Sequence, residues 1–140
     1  MTASIGYSDV AVGDEVKPWT YKVERINLVM YAGASGDFNF IHWNEQFAKM
    51  VGLPNVIAHG MQTMARVGEY VTAWCGDPGA VLKFKTRFTS PVVVANEAPT
   101  EVSVTGKIVE KLDGNAVRVE LSAAIGELNV AAAEAVVRLA

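Results

Sequence analysis

The stretch HGMQTMARVGEYVTAWC, residues 59–75, decides the fold that this sequence predicts. Its apolar residues recur at the spacing of a helix: Met61, Met64, Ala65, Val67, Tyr70, Val71 and Trp74. Apolar groups occupy much of the circumference, so the helix is expected to be largely buried. The pattern predicts a central helix that begins near His59 or Gly60 and ends at about Cys75.

Strand patterns follow this helix to the end of the chain. After a turn at 77–79, apolar and basic residues alternate over 82–88, as in a half-buried strand. Segments 101–112 and 116–125 flank an Asp-Gly-Asn turn and form a hairpin, and 128–139 is a last strand. This order predicts an α+β fold in which a curved antiparallel sheet wraps around the helix. Its edge strands and one helix flank lack cover, which favours a dimer.

Shorter elements precede the central helix. Alternation over 19–25 predicts a strand, 26–32 reads as a short helix, and glycines leave 37–42 in a loop. Asn44 is a suitable N-cap for a second short helix. The buried stripe of that helix is predicted to consist of Phe47, Met50 and Val51.

Length and composition limit the class of protein. The 140 residues fit one domain, 1–140, and the net charge of −3 disfavours nucleic-acid binding. A single cysteine, Cys75, favours a reducing, cytoplasmic setting. The start of the chain does not resemble a secretory signal. Because no apolar run approaches the roughly 20 residues of a membrane span, we expect a soluble protein.

Residues 36–42, GDFNFIH, concentrate polar chemistry in an apolar setting. A carboxylate with a pKa of about 3.9 and an imidazole with a pKa of about 6.5 form the usual pair for proton transfer at neutral pH, here Asp37 and His42. Alternatively, Asp37 and Asn39 cap loop amides while His42 caps a helix or makes a buried hydrogen bond. One His and one Asp lack the three protein ligands typical of catalytic zinc, which disfavours a metal site.

Gly60 opens the central helix within the sequence Ala58-His59-Gly60-Met61. A glycine there lets a carbonyl approach a bare N–H at the positive end of the helix dipole, which outlines an oxyanion hole. The alternative is an ordinary glycine near a helix start, with His59 as a core or capping residue. The residues alone leave both interpretations open.

A family resemblance adds to these patterns. The residues that carry it are Tyr31, Ser35, Gly36, Asp37, Asn39, His42 and Ala48, which together resemble the signature of the MaoC-like (R)-specific hydratases and dehydratases. The resemblance extends from VGDEV at 12–16 through AHGM at 58–61 to the last strands, and it implies a hot-dog fold. Residues 70–81 are similar to the small catalytic subunit of the (3R)-hydroxyacyl-ACP dehydratases of long-chain, mycolate-type elongation.

The resemblance implies a reversible syn hydration or dehydration of an acyl thioester, carried by CoA or an acyl carrier protein, without metal or organic cofactor. Asp37 and His42 would be the catalytic pair, Gly60 N–H would bind the thioester carbonyl, and Asn39 would order the loop. The partner would be a second copy or a related hot-dog subunit. A basic row, Lys83, Lys85 and Arg87, is either a solvated strand face or a docking site for the carrier.

Alternative functions stay open at this level. They are a degradative (R)-specific enoyl-CoA hydratase, a non-catalytic acyl-binding hot-dog subunit and a hot-dog thioesterase. Two departures from the family pattern bear on them: Phe40 stands where the family usually has proline, and Gly68 stands where many short-chain hydratases carry serine.

Overall fold

A computed structural model describes residues 3–140 of the chain. The strands are β1 (Glu15–Val23), β2 (Val81–Phe88), β3 (Thr100–Leu112), β4 (Ala116–Ile125) and β5 (Leu128–Arg138). The helices are α1 (Arg25–Ser35), α2 (Glu45–Met50) and α3 (Gly60–Cys75). Short 3-10 turns lie at Tyr7–Asp9, Phe40–His42 and Pro78–Ala80.

All five strands form one antiparallel sheet in the order β1-β3-β4-β5-β2. The last three strands in sequence pair as a meander through the turns at 113–115 and 126–127, which confirms the predicted hairpin and final strand. Alternate valines of this meander are fully buried, as the period of two requires. The first and last strands in the sheet order, β1 and β2, are its edges.

The sheet packs on α3, whose bounds match the prediction. The helix ends at Gly76, which has the left-handed conformation that favours glycine (φ 78°). Its buried residues are Thr63, Val67, Tyr70, Val71 and Cys75. The expected burial of Met61 and Ala65 is wrong, because these residues lie on the flank that the sheet does not cover, and Met61 is 57% exposed.

The elements before α3 differ from the prediction in detail. The first strand begins at Glu15 rather than Trp19, and α1 extends beyond the predicted 26–32. Asn44 caps α2 as expected, since its Oδ1 accepts the Phe47 N–H at 2.9 Å. The predicted buried stripe is wrong at Met50 and Val51, which are both exposed; Ala48 is the buried residue of α2.

Arg25, at the start of α1, joins the segment of residues 25–55 to the loop between β2 and β3. Its Nε donates to the Val94 carbonyl at 2.8 Å. Its Nη2 donates to Glu45 Oε2 at 2.8 Å and to Asn55 Oδ1 at 2.6 Å. One guanidinium therefore ties both ends of this segment and α2 together. Within residues 3–140, no helix has the length and hydropathy needed to cross a membrane.

Candidate active site

Local side-chain bonds shape the loop that follows α1. Gly36 ends the helix in the left-handed region (φ 75°). Asp37 Oδ1 accepts the N–H of Asn39 at 3.2 Å, and Asn39 Oδ1 accepts the N–H of Ile41 at 3.2 Å. The loop-capping interpretation is therefore correct for Asp37 and Asn39. It does not exclude the catalytic one, because the other carboxylate oxygen of Asp37 points toward His42.

His42 is buried at the end of the 3-10 turn, and its hydrogen bonds fix its tautomer. Nδ1 lies 2.7 Å from the carbonyl oxygen of Ile57. A carbonyl only accepts, so Nδ1 carries the proton and Nε2 presents a lone pair in the neutral ring. Nε2 lies 3.8 Å from Asp37 Oδ2, which is 53% exposed at the side chain. The structure thus brings together the two groups that the sequence paired.

The surroundings of His42 favour its neutral form. Burial, the largest cause, lowers the pKa of the imidazole below its usual value, and the nearby His59 lowers it further. The Ile57 carbonyl and the Asp37 carboxylate act in the opposite direction. His42 is therefore a proton acceptor rather than a cation at neutral pH.

Gly60 is the first residue of α3, so its N–H is among the helix amides that lack an intrahelical acceptor. A Cβ added at Gly60 would lie 3.1 Å from the Phe88 ring, which is tighter than ordinary contact. Gly60, Ile57 and Phe88 line a cavity of about 340 Å³ together with Thr63 and Val130. Gly60, the predicted oxyanion position, therefore faces the same cavity as Ile57, whose carbonyl oxygen binds His42.

His59 is the site residue that the sequence interpretation left without a role. It precedes Gly60 as the N-cap residue of α3, but its side chain makes no cap bond; at 1% exposed it is a core residue, which was the other alternative. Its Nε2 lies 3.0 Å from the carbonyl oxygen of Asp37. Its ring stacks on that of His42 with centroids 3.6 Å apart and planes at 21°. The sequence signals for His59 were its place in the AHGM motif at 58–61 and the fact that both histidines of the chain lie in its first half, beside glycine, asparagine or aspartate.

His59 also bears on the question of a metal. One ligand-type atom from each of Asp37, His42 and His59 lies within 4.8 Å of the others. The sequence interpretation counted only one histidine and one aspartate, so it missed this third group. Imidazole lone pairs lie in the ring plane. Two nearly parallel stacked rings direct them side by side rather than toward one ion, and His59 Nε2 already donates to a carbonyl. The stacked arrangement does not suit a shared metal ion.

The two departures from the family pattern have defined surroundings. The Phe40 ring packs against Trp43 and Phe47, with centroids 5.0 and 5.3 Å away. Its bulk is therefore placed against α2. A Cβ at Gly68 would meet only the Phe84 ring, at 4.0 Å, so the space at this position admits a larger residue.

The basic row lies on β2 among acidic neighbours. Lys85 Nζ is 3.2 Å from Glu134 Oε1, and a surface groove is lined by Lys85, Arg87, Glu120 and Glu134. Lys83 and Arg87 are exposed. The row is thus a mixed-charge surface, and its docking role stays a prediction.

Comparison with known proteins identifies the family to which the chain belongs. Residues 9–125 match the family described as "MaoC like domain". The chain is 42% identical over 73 residues to 3-hydroxyacyl-thioester dehydratase X of Mycobacterium tuberculosis, which covers 52% of this chain and 25% of that protein. It is 29% identical over 90 residues to the (R)-specific enoyl-CoA hydratase of Rhodospirillum rubrum, covering 64% and 62%. The chain thus spans less than two thirds of either relative.

Solved structures confirm the fold. A MaoC-like dehydratase structure superposes with a TM-score of 0.96 at 36% identity, covering 99% of this chain and 44% of that one. The ChsH1-ChsH2 complex from Mycobacterium tuberculosis has the same fold at 18% identity, with a TM-score of 0.81 and coverage of 94% and 99%. The sheet wrapped on a central helix is the predicted hot-dog fold. The chain belongs to the MaoC-like dehydratase domain family, whose members include (R)-hydratases and 3-hydroxyacyl-thioester dehydratases.

Proposed function

We propose that the chain catalyses the reversible syn hydration of a trans-2-enoyl thioester to the (3R)-3-hydroxyacyl thioester. The observation that carries this proposal is the 3.8 Å separation between His42 Nε2, which has a lone pair in the neutral ring, and Asp37 Oδ2. Both atoms are hydrogen-bond acceptors, and a water molecule has two hydrogens to donate. The pair therefore suits one water whose oxygen adds to C3 while a proton is delivered to C2.

Asp37 and His42 share the proton work as one unit. In hydration the pair accepts a proton from the water as its oxygen bonds to C3, and a proton then goes to C2 on the same face. Dehydration reverses these steps. Because the two groups lie close together, the pH profile reports on the pair rather than on either residue. No metal or organic cofactor takes part in the proposed reaction.

Gly60 N–H supplies the third element of the mechanism. As C3 is attacked, negative charge moves through C2 to the thioester oxygen. An N–H at the start of the 16-residue helix α3 faces that charge with the positive end of the helix dipole. Asn39 contributes by holding the loop between the two catalytic residues through its bond to Ile41 N–H.

The test is hydration of an enoyl thioester by Asp37→Asn and His42→Ala. We expect kcat to fall by about 10²- to 10⁴-fold, the usual contribution of a general acid/base. Asp14→Asn is the matched control, since Asp14 Oδ2 also accepts a loop N–H, from Ala11 at 2.8 Å, but lies outside the site. Wild-type kcat in either site variant, when folded, would sink the proposal, as would substrate binding without turnover in the wild type.

We further propose that the substrate is an acyl-ACP in cytoplasmic fatty-acid elongation. The support is the local similarity to the acyl-carrier dehydratase subunits at residues 70–81 and the identity to the thioester dehydratase of Mycobacterium tuberculosis. Rates for CoA and carrier-protein thioesters across a series of acyl lengths test this. Faster turnover of CoA thioesters at every length would instead support the degradative hydratase.

The basic row on β2 is proposed to dock the acidic carrier. Reversing Lys83, Lys85 and Arg87 to glutamate should raise KM for the carrier-bound substrate at low salt, because exposed charges steer association. A matched control reverses the exposed Lys17, Lys22 and Lys107 on β1 and β3, with the same change in net charge. The docking proposal is wrong if the β2 variant has the wild-type KM for the carrier-bound substrate, or if the control variant raises KM by the same factor.

A second hot-dog subunit is proposed to cover the β2 edge. Leu82 and Phe88 on this strand are 48% and 47% exposed, and β2 ends the sheet order. A strand edge that carries apolar side chains favours pairing with another strand. The related ChsH1-ChsH2 fold is described as a complex, which supports either a second copy or a related subunit as partner. Light scattering of the purified chain, alone and after replacing Leu82 and Phe88 by serine, tests the pairing.

A further inference from the structure

We propose that His59 is a positioning residue that holds Asp37 and His42 at the separation from which they share one water. The inference rests on the proposed hydration and deepens it. It concerns a side chain that the reaction scheme does not use and that contacts both members of the pair.

The first contact holds the backbone of Asp37, the residue that carries the proposed catalytic carboxylate. His59 Nε2 lies 3.0 Å from the Asp37 carbonyl oxygen, and since that oxygen only accepts, Nε2 carries the proton. The bond crosses from the start of α3 to the loop after α1. It holds the Asp37 backbone against the helix that carries Gly60 while leaving both carboxylate oxygens free of His59.

The second contact fixes the tilt of the catalytic imidazole. The Nδ1 bond to Ile57 directs His42 in its own plane but leaves rotation about that bond unrestrained. Stacking of the His59 ring at 3.6 Å restrains the rotation. The two restraints together aim Nε2 at Asp37.

The unused nitrogen of His59 distinguishes a positioning histidine from a packing residue. Nδ1 is buried, and no group in residues 3–140 hydrogen-bonds to it. An unpaired polar atom in a 1% exposed ring costs stability, so an apolar residue would pack better here, and what the histidine adds is the Nε2 bond to Asp37. The groups facing the stacked pair are the Asp37 carboxylate and the Tyr31 ring, whose centroid is 4.7 Å from His59.

Two substitutions separate positioning from packing. His59→Gln keeps a side-chain N–H at the reach of Nε2, whereas His59→Phe keeps a buried ring and removes the donor. We expect kcat to fall by about 10- to 100-fold in His59→Phe, the cost of misplacing catalytic groups, with KM changed less than about threefold. His59→Gln should retain about tenfold more activity than His59→Phe. A packing role predicts the reverse order, because phenylalanine fills an apolar space better than glutamine.

A spectroscopic measurement tests the inference without any substrate. The chain has two histidines, so nitrogen-15 imidazole spectra are assigned by replacing one of them. We expect opposite tautomers in the wild type, with the proton on Nδ1 in His42 and on Nε2 in His59. The pKa of His42 should rise in both His59 variants, because the neighbouring imidazole that lowers it is gone. These results stand even if no enoyl thioester is hydrated, so failure of the two proposals is distinguishable.

Val71→Ala is the control for destabilisation, since Val71 is buried in α3 about three turns beyond Gly60. It should lower the melting temperature and leave kcat unchanged at assay temperatures well below melting. The inference is overturned by identical tautomers in the wild type, by unchanged His42 titration in both variants, or by His59→Phe as active as His59→Gln. If His59→Phe does not fold, the wild-type tautomers and His59→Gln still decide.

Discussion

The β3–β5 meander and the segment of residues 36–60 are held in place by different kinds of bonds. Backbone ladders join the strands, and alternate buried apolar side chains anchor them to the core. In the second segment, single side chains bond to distant or neighbouring backbone groups, as in His42 to Ile57 and His59 to Asp37. We therefore expect substitutions in the meander to change mainly stability, and substitutions in residues 36–60 to change mainly activity.

The largest expected effect is on the meander. Ile108 is 1% exposed on β3, and Ile108→Ala should lower the free energy of unfolding by about 3 kcal/mol, because a cavity replaces buried apolar contacts. Urea unfolding measures this loss, and hydration kcat of the folded fraction should stay at the wild-type value. A parallel loss of kcat would contradict the division between the two regions.

Asn39 and Asn44 offer a matched pair for the other region. Each side chain accepts one backbone N–H, from Ile41 at 3.2 Å and Phe47 at 2.9 Å. Both alanine variants should cost about 1 kcal/mol of stability, the usual value of such a bond. Only Asn39→Ala should also lower kcat, by about tenfold or about 1.4 kcal/mol of activation free energy, because its bond to Ile41 N–H lies in the loop between the proposed catalytic residues. Steady-state kinetics decide, and equal kcat values in the two variants would argue against the loop role.

Helical glycines give a smaller effect of opposite sign. Gly68→Ala should stabilise the protein by about 1 kcal/mol, since glycine is a poor helix former and a Cβ there has ordinary contact with Phe84. Gly33→Ala in α1, where a Cβ meets nothing within 4 Å, should gain a similar amount. Thermal unfolding measures both.

Gly60→Ala should instead lower the hydration rate, because its Cβ crowds Phe88 at the cavity. Unchanged hydration by the folded variant would show that Gly60 is not part of the site.

The smallest effect is a dependence of stability on pH. Burial keeps the pKa of His42 below the value of about 6.5 that the unfolded chain has, so the unfolded state binds more protons in this range. The free energy of unfolding is therefore unaffected by this titration above about pH 6.5. Below that pH it decreases, until the pH reaches the pKa that His42 has in the folded state. Urea unfolding at pH 7.5 and 5.5 should show a drop in wild type that is smaller in His42→Phe. A larger drop in the free energy of unfolding in His42→Phe than in the wild type would contradict the prediction.

The sequence predicted the meander closely because its information is local. A strand of alternating valines and polar residues shows its buried face without knowledge of any partner, and β4 has the bounds that alternation predicted. Met50 and Met61 were predicted to be buried but are exposed, because their burial depends on information that is not local. Helical spacing shows that a side chain is apolar, but not whether its cover comes from this chain.

The proximity of the candidate site's groups was predicted only where the residues are neighbours in sequence or match the family pattern. Asp37 and His42 are five residues apart, and the loop between them is bridged by Asn39. The contacts of His59 join residues 17 and 22 positions apart, and they depend on how α3 packs under the loop. No periodicity encodes that packing, so the stacked histidines emerge only from the fold.

Arg25 has a consequence for the dynamics of the molecule. Its guanidinium bonds to Glu45 of α2 and to Asn55 within the segment of residues 25–55, and to Val94 outside it, so one side chain both closes this segment and helps to hold it against the rest of the protein. Loss of that side chain should lower the free energy of local opening of this segment. In deuterium exchange, the amides of α1 and α2 would then exchange together while those of β3–β5 stay protected.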